Sequence, residues 1–242
     1  MTRFLKRLVP PRVRAMLFPL RQRFADPFAN RSYSQEGEDM VLRRLFERQP
    51  TGFYVDVGAH HPQRFSNTNY FYRRGWRGVN VDATPGVKAQ FDRFRPRDIT
   101  VEAAISKDGR ELTLRRYSDG ALNSLGEGGA PAEQSGYTVV EERKLATRRL
   151  ADVLRQHLPA GQAIDFMSVD VEGMDLEVLE GNDWSAYRPR NLLVECFGAP
   201  LAGVEASPVG AFLKSLGYEP FAKCVHTFFF KDARAADATD RH

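Results

Sequence analysis

From residue 34 onward, short unbroken apolar runs alternate with segments in which apolar positions return every three or four residues. Those are the rhythms of buried strands and of helices with one buried face. SQEGEDMVLRRLF (Ser34–Phe46) carries the helical rhythm, with Ser34 a candidate N-cap and Glu36, Glu38 and Asp39 in the first turn, where the helix dipole favours acids. GFYVDVGA (Gly52–Ala59) is the first strand, and SNTNYFYRRGW after it reads as a helix that Ser66 or Asn67 can cap and Gly75 can end. GVNVDA (Gly78–Ala83) is the second strand, PGVKAQFDRFRP (Pro85–Pro96) a helix opened by proline, and ITVEAAIS (Ile99–Ser106) the third strand. A β-α-β-α-β succession predicts a parallel sheet with right-handed crossovers.

Residues 107–149 break the alternation. Two β-like runs, ELTLRRYS and YTVVEERKLATRR, flank a glycine-rich bridge, NSLGEGGAPAEQSG, which reads as an insertion or lid. Alternation then resumes with a helix (LADVLRQHL), a strand (AIDFMSVDVEG, Ala163–Gly173), a helix (DLEVLEGNDW), a strand (NLLVECFG, Asn191–Gly198) and a helix in SPVGAFLKSLG that Gly217 can terminate. YEPFAKCVHTFFFKD closes the pattern as two antiparallel strands. The expected organisation is a leader over 1–33, an α/β domain over 34–232 with 107–149 as its insertion, and a tail over 233–242 with nothing to bury.

Composition narrows the class. With 42% hydrophobic and 27% charged residues, the 242-residue chain has the make-up of a soluble globular protein, and no apolar run reaches the roughly 18 residues of a membrane span. Nor is there an uninterrupted apolar signal-peptide core at the N-terminus. Cys196 and Cys224 lie in apolar runs and read as reduced, buried thiols suited to the cytoplasm. Residues 1–31 hold eight Arg/Lys against the single acid Asp26, so +7 of charge sits there and the other 211 residues carry −3 of the net +4. Nucleic-acid binding by the body thereby has no electrostatic footprint to rest on, and none is expected. In the leader the charges interleave with Phe4, Leu5, Leu8, Met16, Leu17, Phe18, Leu20 and Phe24. That pattern suits either a segment lying peripherally on an anionic membrane or an arm packed on protein.

The chemistry sits where strands stop, because open α/β sheets bind ligands beyond the carboxyl ends of their strands. Asp56–Gly58, Asp82, Asp170–Gly173 and Glu195 place a carboxylate at four such ends, and Glu102–Ala104 stands at the fifth. Gly58 permits a turn and a close backbone approach. Asp82, 26 residues beyond Asp56, is where a carboxylate accepts both hydroxyls of a ribose. A dinucleotide fingerprint would add two glycines, but here His60, His61 and Pro62 follow. The pattern predicts a ribose ligand without a diphosphate, and S-adenosyl-L-methionine fits.

YVDVGA, NVDA, EAAIS and above all SVDVEGMDLEVLEG (Ser168–Gly181) resemble the FkbM-family methyltransferases. The specific core is Asp170, Val171, Glu172, Gly173, Asp175, Leu179 and Gly181, and the resemblance spans roughly Ser34 to Glu195. It implies an S-adenosylmethionine-dependent enzyme that methylates hydroxyls of sugars or natural products. The implied fold is the class I methyltransferase fold, a Rossmann-like three-layer α/β sandwich whose seven-stranded, mostly parallel sheet has its last strand antiparallel. SQEGED and HHPxxxSNT look like a subgroup associated with surface glycans, so the implied acceptor is a sugar or glycan, nucleotide- or lipid-linked. By position the resemblance puts Asp56, Gly58 and Ala59 along the methionine part of the cofactor, Asp82 on its ribose and Ala103 or Ala104 by its adenine. The chain departs from the family pattern at His60-His61-Pro62, where many members have Asn-x-Gly.

A sugar hydroxyl is a weak acid, so its methylation calls for a base, a divalent cation or both. Asp170 and Glu172 stand two apart at a strand end, where extended geometry points both to one face to serve as base or metal ligands. The competing reading is that one of them caps the next helix. His60 and His61 are candidate bases or loop-shaping residues. Ser66, Asn67 and Thr68 at a helix start can hold the cofactor's carboxylate or serve simply as a cap, and Glu36 can close over the cofactor from the first helix. Three other readings compete on the same residues: a nicotinamide oxidoreductase, a metal-dependent hydrolase, and a non-catalytic scaffold of glycan assembly.

Overall fold

The computed structural model describes residues 28–126 and 136–234. The basic leader up to residue 27, the middle of the glycine-rich bridge (127–135) and the tail beyond residue 234 lie outside the described residues.

FYVDV, an almost continuous apolar run, forms β1 (Phe53–Val57), and all five residues are buried, as befits a central strand covered on both faces. Parallel to it on one side are β2 (Arg77–Asp82) and β3 (Ile99–Glu102), with helices α2 (Asn69–Arg73) and α3 (Val87–Phe94) as crossovers. Helix α1 (Glu38–Leu45) precedes them. A small antiparallel sheet of β4 (Glu111–Tyr117), β5 (Ser124–Leu125) and β6 (Val139–Ala146) follows, in the order β5-β4-β6. The chain then returns through α4 (Leu150–His157), β7 (Phe166–Val169), α5 (Asp175–Glu180), β8 (Asn191–Glu195), α6 (Pro208–Ser215), β9 (Tyr218–Lys223) and β10 (Thr227–Asp232).

The large sheet has seven strands in the order β3-β2-β1-β7-β8-β10-β9, with β10 antiparallel to both neighbours. This is the mostly parallel sheet with an antiparallel last strand that the resemblance implies. Residues of alternating parity along β1 face opposite layers. Phe53, Val55 and Val57 join a core with Met167, Val169, Leu154 and Val178. Tyr54 joins an aromatic layer with Phe71, Trp76 and Phe166, in which the Phe71 and Phe166 rings lie 5.0 Å apart. Leu114 and Leu125 of the small sheet pack on Ala104 and Met174 of the main body. No helix among the described residues is long and apolar enough to cross a membrane.

Several element ends differ from their sequence expectation. Helix α1 begins at Glu38, preceded by Gly37 at φ 91°, so Ser34 is not its N-cap; the Ser34 hydroxyl nevertheless accepts the Asp39 N–H and donates to the Asp39 carboxylate. Pro85 does not open α3, which starts at Val87 after the left-handed Gly86, because Glu102 Oε2 accepts the N–H groups of Gly86 and Lys88 and holds that turn. Strand β7 stops at Val169, short of Asp170 and Glu172.

Candidate active site

Beyond the carboxyl ends of β1, β2, β7 and β8 lies a cleft with two lobes that share Gly58, His60, Ala121, Asp170 and Glu172. The first lobe, of about 540 Å³ open to solvent, adds Gln35, Glu36, Glu38, Phe65, Asn67, Glu195 and Thr227. The second, about 440 Å³, adds Asp82, Ala83, Thr84, Leu114, Asn123, Leu125 and Val171. One lobe is rich in carboxylates and the other in small apolar side chains.

Gly58 stands where the lobes meet. At φ 84° it turns the chain sharply, and a Cβ there would lie 1.7 Å from the Asp170 carbonyl oxygen, so the close approach it permits is that of the backbone just beyond β7. Two residues on, His60 is left-handed at φ 49°, a conformation costly for a side-chain-bearing residue. Its N–H donates to Asp82 Oδ2 at 2.8 Å, while Asp82 Oδ1 accepts the Thr84 N–H at 2.7 Å. Asp82 therefore holds both turns that border the second lobe, and its carboxylate faces that lobe.

Asp170 and Glu172 do meet, but not through strand alternation. Glu172 (φ 52°) and Gly173 (φ 97°) form a left-handed turn after β7, and Asp175 braces it by accepting the N–H groups of Val171 and Gly173. The acid that fixes the start of α5 is Asp175, leaving Asp170 and Glu172 free to line the cleft. Burial first, then the neighbouring Asp170 and Asp175, push the Glu172 pKa up to about 7. Asp175 rises to about 7 through burial and Asp170, against its backbone hydrogen bonds. Asp170 has surface open to the cleft yet is ringed by protein. Lost hydration raises its pKa, and burial, with Asp170 and Glu172 nearby, pushes Glu195 far above the usual carboxylate range. One oxygen each of Asp170, Glu172 and Glu195 lies within 4.8 Å of the others, and Glu195 Oε2 is buried without a hydrogen-bond partner. Such a trio fits a hard divalent cation or the cationic end of an organic ligand.

Other expected residues are distributed around this centre. Glu36 lines the first lobe and accepts the His226 N–H, and Asn67 lines it while donating to Ser168 Oγ. His60 reaches both lobes; burial lowers its pKa, keeping the imidazole neutral, and its Nε2 is buried without a partner. His61 lines neither lobe. Its Nδ1 accepts the N–H groups of Gln63 and Arg64, the loop-shaping alternative. Asp56, Ser66 and Thr68 are buried beneath the cleft, where the Thr68 hydroxyl donates to Asp56 Oδ2 at 2.7 Å. Burial, opposed by that hydrogen bond, raises the Asp56 pKa to about 6. Ser66 Oγ accepts the N–H of Asn69, the first residue of α2, whose N-cap position is Thr68 rather than Ser66 or Asn67. Ala59 packs with Val87 and Phe91, Ala104 with Leu114 and Leu125, and Ala103 against the main core; none of the three borders a lobe.

Sequence patterning does not single out Thr84, Ala121 or Leu114, which wall the second lobe, nor Thr227, which lines the first. The turn after β2, the fold of the insertion and the β10 pairing bring them there. Glu38 was placed in a first helical turn but not in the site.

A family model described as the methyltransferase FkbM domain matches residues 56–220. Methyltransferase sdnD of Sordaria araneosa is 46% identical over 55 residues, 20% of this chain, and that stretch spans only 21% of the relative's length. Among solved structures, an O-methyltransferase from Bacillus cereus in complex with SAH aligns with a TM-score of 0.45 at 10% identity, covering 92% of this chain and 91% of that one. The O-methyltransferase TomG from Streptomyces achromogenes, involved in tomaymycin synthesis and solved with SAM, aligns with a TM-score of 0.39 at 11% identity over 94% and 92% of the two chains.

Proposed function

The chain belongs to the FkbM methyltransferase family, and from that membership we propose that it transfers the methyl group of S-adenosylmethionine to a sugar hydroxyl. One observation carries the reading: apolar side chains of Ala83, Leu114, Leu125 and Val171 gather at one end of the cleft and Glu36, Glu38 and Glu195 at the other, with Gly58, Asp170 and Glu172 between. S-adenosylmethionine has the same polarity, a flat base and ribose at one end and, at the other, a sulfonium with an ammonium and a carboxylate, net +1. The second lobe takes the adenosine, with Asp82 on the ribose diol and Ala83, Leu114, Leu125 and Val171 against the base. In the first lobe Asp170, Glu172 and Glu195 face the cationic end, where opposite charge compensates their buried carboxyls.

The donor is already activated, so the protein's work is alignment and proton removal. As the acceptor oxygen bonds to the methyl carbon, the sulfur–methyl bond breaks and its electron pair stays on sulfur. The hydroxyl proton goes to Glu172, which at a pKa of about 7 can take it near neutrality. Neutral His60, across both lobes, is placed to orient the hydroxyl. The choice of a sugar rests on SQEGED (Ser34–Asp39) and on HHP with SNT (His60–Thr68), the segments that resemble the glycan-associated subgroup. The convergence of Asp170, Glu172 and Glu195 favours one further reading, a divalent cation that would lower the acceptor's pKa.

Calorimetry with S-adenosylmethionine and S-adenosylhomocysteine, repeated after chelation, tests the donor. Saturable one-to-one binding is expected, and a folded chain that binds neither compound overturns the proposal. Loss of binding or turnover only in chelator would put a cation on the carboxylate trio.

A further inference from the structure

Arg95 takes no part in the cleft, yet it is among the most completely buried large side chains, 1% exposed. A guanidinium so placed must satisfy its donors within the protein. Its Nε donates to Asp98 Oδ2 at 2.8 Å, and Nη2 to Tyr54 Oη at 2.7 Å and Asn80 Oδ1 at 3.2 Å, all on the β1–β3 side. Its other edge meets the loop after β1: Nη1 and Nη2 both reach Thr68 Oγ1 at 3.0 Å, and Nη1 also reaches Ser66 Oγ at 3.3 Å and the Pro62 carbonyl at 3.5 Å. Thr68 Oγ1, engaged as acceptor, directs its own proton to Asp56 Oδ2. The rings of Phe91, Tyr72 and Tyr54 surround the guanidinium 5.0–5.4 Å from its carbon.

The segment so held, residues 60–68, is the one that projects His60, Phe65 and Asn67 into the cleft, and two of its residues, His60 and Phe65, have positive φ (49° and 53°). Strained backbone persists only where its surroundings over-determine it. We propose that Arg95 is a positioning residue for methyl-donor binding, clamping the 60–68 loop to the strands through one rigid fork. The inference rests on the methyl-donor reading of the cleft and adds to it a residue outside the cleft. Lysine cannot replace such a fork, since a single ammonium can keep Asp98 but not reach both edges.

Two variants test it. Arg95→Lys preserves the charge opposite Asp98, and Thr68→Val removes only the hydroxyl between Arg95 and Asp56. Each is expected to weaken S-adenosylhomocysteine binding about tenfold, the size of loss expected from a buried hydrogen bond to a charged group. The double variant should be little worse than either one, because both break one connection. The donor KM should rise while kcat at saturating donor stays within about threefold, since the loop binds rather than reacts. Amide hydrogen exchange should quicken in residues 60–68 without quickening in β1 or β7. Native donor affinity together with native exchange in folded Thr68→Val overturns the proposal, whatever the folding of Arg95→Lys. Failure of the unaltered chain to bind the donor would instead sink the methyl-donor reading, and the exchange measurement, which needs no ligand, would still decide whether Arg95 clamps the loop.

Discussion

At the scale of single residues, Asp82 does two jobs with one carboxylate. Its oxygens accept the amides of His60 and Thr84 at 2.8 and 2.7 Å, and each oxygen has a second lone pair for the ribose proposed to bind in the second lobe. Asp82→Asn retains the volume but offers one acceptor oxygen and two donors, so one amide and part of the ribose recognition are lost together. Because buried charge-assisted bonds contribute about 1.5–3 kcal/mol each, donor affinity should fall roughly 10- to 100-fold by calorimetry. Unchanged affinity would remove Asp82 from the site. Gly58 shows the opposite economy, contributing only an absence: without a Cβ the end of β1 can lie against the Asp170 carbonyl.

Among the elements, the small sheet β5-β4-β6 gives the cleft its roof. The short 3₁₀ turn at Gly120–Leu122 crosses from one lobe to the other, tied to the β1 loop by the Arg64–Asp119 ion pair and to the β2 loop by Asn123 Nδ2 donating to Thr84 Oγ1 at 3.1 Å. Half-exposed ion pairs contribute little to stability, typically 0–1 kcal/mol, and the bond that Asp119 accepts from the Ala121 N–H caps only this short turn. Asp119→Ala should therefore lower the melting temperature only modestly while speeding donor dissociation severalfold in stopped-flow displacement. An unaltered dissociation rate would mean that the turn does not retain the ligand. This level also marks how far the sequence could be read. Strands such as FYVDV and NLLVE were legible because an apolar run long enough to cross a core has few other places to go, and their terminal acids pointed to the cleft. Arg95 was not legible: in FRPRD it looks like a solvated helix end, and only the meeting of β1, β2 and the 60–68 loop encloses it. Likewise Thr227 enters the site only because β10 inserts beside β8.

For the molecule as a whole, charge is distributed so that the folded chain without donor holds protons that the unfolded chain would have released. Burial lifts Asp56 to about 6 and Glu172 and Asp175 to about 7, and raises Asp170 and Glu195 as well. An acid whose folded pKa is raised contributes stability that is fully present below its unfolded pKa and lost as pH climbs through the folded one, so these groups favour the fold increasingly as pH falls from 8 to 6. His60, His61 and His157, lowered by burial, act in the opposite sense, but they are three groups against five, and His61 and His157 are largely solvated. The melting temperature of the unliganded chain should thus rise on going from pH 8 to pH 6. A bound cation reverses the balance, because it favours the ionised carboxylates and expels their protons. S-adenosylmethionine has a sulfonium that S-adenosylhomocysteine lacks, so its affinity should fall more steeply with decreasing pH, and its binding should release more protons. Calorimetry in two buffers of different ionisation enthalpy measures that release directly. Equal proton release by the two compounds would place the sulfonium away from Asp170, Glu172 and Glu195, and with it the reacting methyl group away from Glu172, the group proposed to receive the acceptor's proton.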